Sequence, residues 1–157
     1  MQSARRRADD HAVTAARRGQ RVAVGVDLIA VADVRAALRA HGRRYKDRLF
    51  TAQEQVDCDA RGGQAAASYA ARFAAKEAVI KVLAPPAGGA SPPWTDIEVV
   101  RRASGACGLR LRGAGHALAR RRRLAGWSVC LGHEAGMAVA LVAATIGPAA
   151  KKRERAR

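Results

Sequence analysis

Aromatic residues are scarce: Phe, Tyr and Trp together make up 4% of the 157 residues. A protein that binds nucleic acid by base stacking needs aromatic platforms beside a basic face. The composition therefore argues against that class, even though the formal net charge is +16. No run approaches the roughly 18 uninterrupted apolar residues of a membrane span, so a helical transmembrane protein is excluded. The three cysteines, Cys58, Cys107 and Cys130, stand far apart with no C-x-x-C pair, which indicates neither a disulfide framework nor a zinc ribbon. His11, His41, His116 and His133 show no H-E-x-x-H or other metal-ligand spacing. The first twenty residues are charged throughout and lack the apolar stretch of a secretory signal, while Asp9 and Asp10 weigh against an organelle transit peptide. These absences predict a reducing, cytoplasmic setting.

What the chain has in abundance is alanine (38 residues) and arginine (24 residues, against 5 lysines). Codon usage produces such a skew as readily as selection for a basic surface. The alanines inflate the 49% hydrophobic content, so the core is expected from a few Val, Leu and Ile runs. Residues 1–20 carry five Arg and two Asp, and residues 151–157 carry five bases and one Glu. Such polar ends read as disordered basic tails over 1–20 and 147–157, flanking one domain at 21–146. The basic body favours an acidic partner through electrostatic steering.

Within that domain the periodicity alternates between two and three to four residues. RVAVGVDLIAV (21–31) places Val22, Val24, Val26 and Leu28 on one face and Asp27 on the other, which predicts a strand. Asp33 reads as the N-cap of a helix closed by Gly42. Thr51 and Glu54 form a capping box for a second helix. A third helix is expected from about 64 to 83, stopped by Pro85 and Pro86. Strands follow near 96–101 and 108–112, a helix near 114–124, and strands near 127–132 and 137–145, the last two joined by GHEAG. The order β-α-α-α-β-β-α-β-β predicts an α+β fold with a mostly antiparallel sheet packed against the long central helix.

That long helix, SYAARFAAKEAVIKVLA, carries Arg72, Lys76, Glu77 and Lys81 among apolar and small residues. At about 100° per residue, Glu77 and Lys81 share one row and Arg72 and Lys76 another, with Tyr69, Phe73 and Ile80 between. A helix lining a charged site shows this pattern; so do exposed pairs at (i, i+4) spacing. Asp27 likewise has two readings, a strand-end cap or a carboxylate paired in an apolar strand because it binds a cation. Asp27 and Glu77 converging would suit Mg2+, which takes one or two carboxylates plus substrate phosphates. Arg72, Lys76 and Lys81 would then hold the phosphates, and phosphoryl transfer is the chemistry this combination serves.

GVDLIAV (25–31), LFTAQE (49–54), ARFAAKEAVIK (71–81), DIEVV (96–100) and SVCLGHEAGMAVA (128–140) resemble, in order and spacing, the holo-acyl-carrier-protein synthases. These are the small class of the 4′-phosphopantetheinyl transferase superfamily. The resemblance runs from about Arg21 to Ala144. It implies a Mg2+-dependent transfer of the phosphopantetheine arm of coenzyme A to a serine of an apo acyl, polyketide or peptidyl carrier protein. Adenosine 3′,5′-bisphosphate leaves. The family's metal ligands fall on Asp27 and Glu77, and its coenzyme A-binding bases on Arg72, Lys76 and Lys81. Lys81 is the candidate for stabilising the leaving group. His133 falls on the family histidine, near coenzyme A or the serine; Glu134, or Glu77 acting through water, are rival general bases. Arg44 and Arg48 match positions facing the acidic carrier, and small members of the family are homotrimers with coenzyme A in clefts between subunits.

The chain departs from the family in three places. Asp33 stands where many relatives carry an arginine that helps hold the carrier. Cys130 stands where the family has serine, and APPAGGASPPW (84–94) replaces a Gly-rich loop. Asp33 and the altered loop leave room for an alternative, a non-catalytic carrier-binding subunit of the same fold. A nucleic-acid binder driven by the basic tails is a third reading.

Overall fold

The computed structural model describes residues 21–85 and 89–148. Its elements are β1 (Arg21–Ala30), α1 (Val31–Leu49), α2 (Ala52–Asp59), α3 (Ala65–Leu83), β2 (Ile97–Arg101), β3 (Cys107–Leu111), α4 (Gly113–Arg121), β4 (Leu124–Glu134) and β5 (Met137–Ile146). The tail expected over 1–20 lies outside the described residues, as does that over 147–157 apart from Gly147 and Pro148; the Gly147 N–H donates to the Arg123 carbonyl at 2.8 Å.

β1, β5 and β4 form one antiparallel sheet in that order, and β2 and β3 form a separate antiparallel hairpin. β4 and β5 are joined by Ala135 and Gly136, at φ 48° and 78°. Positive φ at both central residues is what a two-residue hairpin turn requires. β4 therefore runs further than expected, and His133 and Glu134 lie inside the strand, paired with Ala138 and Met137. Neither is on the turn.

The core differs from the one the Val and Leu runs predict. Val22, Val24, Val26 and Leu28 are 47–61% exposed, and Val139 and Leu141 lie beside them at 39% and 48%. The buried face of the sheet is made instead of Ala138, Ala140, Val142 and Ala144, all fully buried. Ala140, Val142 and Ala144 pack on Ala74, Ala75, Ala78, Val79, Val82 and Leu83 of α3, and Ala138 clusters with Ala70 and Ala71 earlier in the helix. Alanine on both surfaces lets helix and sheet approach closely. At Gly25 the approach is so close that a Cβ would sit 2.2 Å from the Ala78 carbonyl oxygen. A second cluster holds Val34, Leu49, Phe50, Cys58 and Tyr69 where α1, α2 and α3 meet, with the Phe50 and Tyr69 rings edge-on at 4.8 Å.

The helix ends show one success and one correction. Thr51 Oγ1 accepts the Glu54 N–H at 3.3 Å while the Thr51 N–H donates to Glu54 Oε2 at 2.9 Å, so the capping box is formed. Asp33, by contrast, is not a cap. β1 runs straight into α1, Ala30 occupies the cap position, and the Val31 N–H is satisfied by the Gly136 carbonyl of the β4–β5 turn at 2.8 Å. Asp33 sits in the first turn, where its charge complements the helix dipole. Gly42 kinks α1 at φ 48°, ψ −125°, and the helix resumes to Leu49.

Candidate active site

β1 and α3 touch at Gly25, and two residues further Asp27 stands on the helix side of the sheet. Asp27 Oδ1 accepts the Lys81 ammonium at 2.7 Å, and the same ammonium donates to the Val26 carbonyl at 2.8 Å. Asp27 is mostly buried, at 19% side-chain exposure, whereas Lys81 remains 51% exposed. Glu77 lies one turn before Lys81 on the same face of α3. Burial, and secondly the charge of Asp27, push the Glu77 carboxyl above the usual range, with Lys81 opposing. The two carboxylates therefore share one electrostatic environment, and ionising both is costly unless a cation stands with them.

The donor set tests which cation fits. Two carboxylates without His or Cys suit a hard, oxygen-seeking ion such as Mg2+ rather than zinc. Among the described residues no group of three or more His, Cys, Asp or Glu could hold a metal by itself. A two-carboxylate site fits an ion whose remaining positions are filled by water and substrate phosphate.

The family model for the 4′-phosphopantetheinyl transferase superfamily matches residues 23–142. The chain belongs to that superfamily. Among curated relatives of this transferase-superfamily chain, the holo-[acyl-carrier-protein] synthase of Desulforudis audaxviator (strain MP104C) is 40% identical over 131 residues. That is 83% of this chain and 97% of the relative. The holo-ACP-synthase structure from Plasmodium yoelii superposes with a TM-score of 0.70 at 18% identity, over 83% of this chain and 99% of that one. The Chronobacterium ammoniagenes ACPS–CoA complex gives a TM-score of 0.69 at 24% identity, over 82% and 99% respectively. Both structures share the α+β phosphopantetheinyl transferase fold.

The superfamily chain does not gather all the residues singled out in its sequence. Asp27 pairs with Lys81, and Glu77 is near enough to feel the charges of both. Lys76 points to the other side of α3 and is fully buried. Its ammonium pairs with Glu54 at 2.9 Å and donates to the carbonyls of Trp94, at 2.9 Å, and Ile97. With its three N–H groups engaged, Lys76 has none for a phosphate, so in this structure it is an internal cation. Arg72 is nearly as buried, donating to Ser68 Oγ at 2.7 Å and lying 3.6 Å from Asp57. Its Nε is buried without a partner among the described residues.

His133 shares the helix side of the sheet with Asp27 by strand alternation, but sits on the opposite edge strand and two residues along. Two strand spacings, about 10 Å, separate those edges, so within one chain His133 does not touch the carboxylates. It lines instead a cleft of about 370 Å³ with Arg35, Gln64 and Glu134. Arg44 and Arg48 are exposed on the second part of α1. A larger cleft of about 720 Å³ lies between α1, α2 and the start of α3, bordered by Arg35, Arg39, Arg43 and Tyr69. Neither cleft is lined by Asp27, Glu77 or Lys81.

One network escaped the sequence analysis. Glu54 caps α2, pairs with Lys76 and accepts the Val99 N–H at 2.9 Å. Glu98 accepts from Thr51 Oγ1 at 3.1 Å and pairs with Arg110 and Arg112 at 3.1 and 3.0 Å. The capping box pointed to Glu54; only the fold could bring β2 and α3 to it.

Proposed function

We propose that the chain transfers the 4′-phosphopantetheine arm of coenzyme A to a serine hydroxyl of an apo acyl carrier protein, releasing adenosine 3′,5′-bisphosphate. The observation that carries this reading is the cluster of Asp27, Glu77 and Lys81 at the β1–α3 crossing, in a chain of the matching superfamily. Asp27 and Glu77 would hold Mg2+, which neutralises charge on the pyrophosphate when bound. Lys81 is half exposed and one turn from Glu77, placed to meet negative charge growing on the leaving phosphate oxygen. When substrate enters, its phosphate competes with Asp27 for the ammonium. His133, with Glu134 beside it, is a candidate to take the serine proton, and exposed Arg44 and Arg48 are available to an acidic carrier.

A single chain leaves the reaction incompletely assembled, since His133 and the carboxylates stand apart. The outward face of the sheet carries Val22, Val24, Val26 and Leu28 beside Val139 and Leu141, all exposed. Soluble monomers rarely present so continuous an apolar surface, and a second copy of this chain is its occupant. We read the working form as a homotrimer with clefts shared between neighbours. Its free thiols, Cys58, Cys107 and Cys130, fit a reducing cytoplasm, and fatty acid synthesis is the pathway the acyl carrier serves.

The test is direct. Purified protein, Mg2+, coenzyme A and apo carrier are expected to give a carrier heavier by one phosphopantetheine in intact-mass spectrometry. No adduct across acyl, polyketide and peptidyl carriers would overturn the reading.

A further inference from the structure

Exchanging a buried ion pair for apolar side chains of similar volume is often neutral or stabilising. Stability alone therefore does not explain why Glu54 and Lys76, both fully buried, are charged. What the pair adds is direction. Lys76 Nζ donates to Glu54 Oε2 at 2.9 Å, to the Trp94 carbonyl at 2.9 Å and to the Ile97 carbonyl. Glu54 Oε2 also accepts the Thr51 N–H, and Glu54 Oε1 accepts the Val99 N–H, each at 2.9 Å. One side chain of α3 is thus bonded to α2, to β2 and to the turn that leads into β2.

The frame receiving these bonds is itself cross-linked. Glu98, between Ile97 and Val99, accepts from Thr51 Oγ1, Arg110 and Arg112. The Arg112 N–H donates to the Asp96 carbonyl at 2.8 Å. α2, β2 and β3 are tied together before Lys76 reaches them.

α3 has need of such an anchor. Its middle buries Ala70, Ala71, Ala74, Ala75 and Ala78, and the sheet answers with Ala138, Ala140 and Ala144. Methyl groups allow close approach but raise only low ridges against rotation about the helix axis, and hydrophobic attraction has no direction of its own. Rotation matters at the very next residue. Glu77 lies about 100° around the helix from Lys76, and Lys81 about 140°. Lys81 meets Asp27 at 2.7 Å, with Glu77 near both. A carboxylate about 6 Å from the axis travels about 1 Å for each 10° of helix rotation. Metal ligands tolerate roughly 0.2 Å, and a displacement of about 1 Å can cost about a hundredfold in rate. The bonds of Lys81 to Asp27 and Val26 cannot supply the anchor, because that ammonium must be released to meet a phosphate.

We propose that Glu54 and Lys76 are positioning residues, whose directional bonds to α2 and β2 set the rotation of α3 and with it the places of Glu77 and Lys81 against Asp27. The effect on transfer rests on the reaction proposed above; the effect on metal affinity needs only that Asp27 and Glu77 hold the ion.

The experiment uses the full chain and two variants. Glu54→Gln combined with Lys76→Met removes both charges at nearly constant side-chain length, so no buried ion is stranded. Glu54→Asp keeps the charge and withdraws the carboxylate by one methylene. Affinity for Mg2+ alone is measured by titration calorimetry, folding by melting temperature, and transfer as kcat with the KM for coenzyme A and for carrier. The double variant is expected to bind Mg2+ about tenfold or more weaker and to lose about a hundredfold in kcat, with carrier KM unchanged. Glu54→Asp should show smaller losses of the same kind. These losses are expected even where the melting temperature matches the parent. A pair that only held the fold together would lower the melting temperature and leave the Mg2+ affinity of the folded protein unaltered. That result, in either variant, overturns the proposal, and so does parental kcat in the folded double variant. A parent that binds Mg2+ yet modifies no carrier would overturn the reaction instead; weaker Mg2+ binding in the variants would then still uphold the positioning pair.

Discussion

At the scale of single residues, the chain sorts its charged side chains by burial. Lys76 and Glu54 are fully buried and neutralise each other, and burial pulls the Lys76 ammonium below the usual lysine range against the opposing pull of Glu54. Removing one partner of such a pair strands a buried charge. Glu77 is different: part-buried, beside Asp27, with its carboxyl held above the ordinary range. The sign of the consequence follows. Ionised Glu77 costs folding stability at neutral pH, and that cost is relieved as pH falls through its folded value. Cation binding runs the opposite way, because the ligand must be deprotonated. Mg2+ affinity, followed by titration calorimetry, is therefore expected to fall on acidification from pH 7.5, by at most about tenfold per unit, and to start falling above the range of an ordinary glutamate. Glu77→Gln should abolish that pH dependence and lower transfer by about a hundredfold or more, with an unchanged or higher melting temperature because repulsion from Asp27 is gone. Retained turnover in Glu77→Gln would remove this side chain from the site.

At the scale of elements, the position of Asp27 is set by how closely β1 lies on α3. That distance is fixed by Gly25 and by the alanines of both surfaces. A Cβ at Gly25 would overlap the Ala78 carbonyl, and since that atom is backbone, strand or helix must move. Gly25→Ala is expected to cost about 1–3 kcal/mol, as overpacked cores do, seen as a lower denaturation midpoint. Asp27, two residues on in the same strand, would shift with it, so Mg2+ affinity should fall as well. Unaltered affinity alongside lowered stability would mean that the carboxylates do not depend on this crossing. The elements themselves were largely readable in advance. The strand alternation, the Thr51–Glu54 box and the proline stop after α3 are local signals with local causes. The start of α1 was misread because Val31 takes its cap from the Gly136 carbonyl, contributed by a turn more than a hundred residues away.

At the scale of the whole molecule, the outward sheet face is the surface that the proposed trimer would cover. Val26 pairs with Leu141, and Leu141 with Cys130 on the other side, so the exposed thiol stands in the apolar surface assigned to the trimer. Val24→Lys would place an ammonium in that surface and is expected to give monomers by light scattering, with transfer lost. In the parent, Cys130 should react slowly with maleimide and in Val24→Lys rapidly, while buried Cys58 stays inert in both. A parent that is monomeric at micromolar concentration, with Cys130 freely reactive, would count against shared clefts.

The sequence by itself determined the order of elements and the superfamily, and it singled out Asp27, Glu77 and Lys81 as candidates, because alternation, capping and a spaced motif are properties of neighbouring residues. Tertiary structure decided the rest. Whether the valine face of β1 looked inward or outward depended on which surface α3 could approach, and small residues let it choose the alanine side. Whether Lys76 served a phosphate or a buried glutamate depended on the rotation of α3 against α2 and β2. Both outcomes rest on packing between segments far apart in the chain, which periodicity along any one of them does not encode.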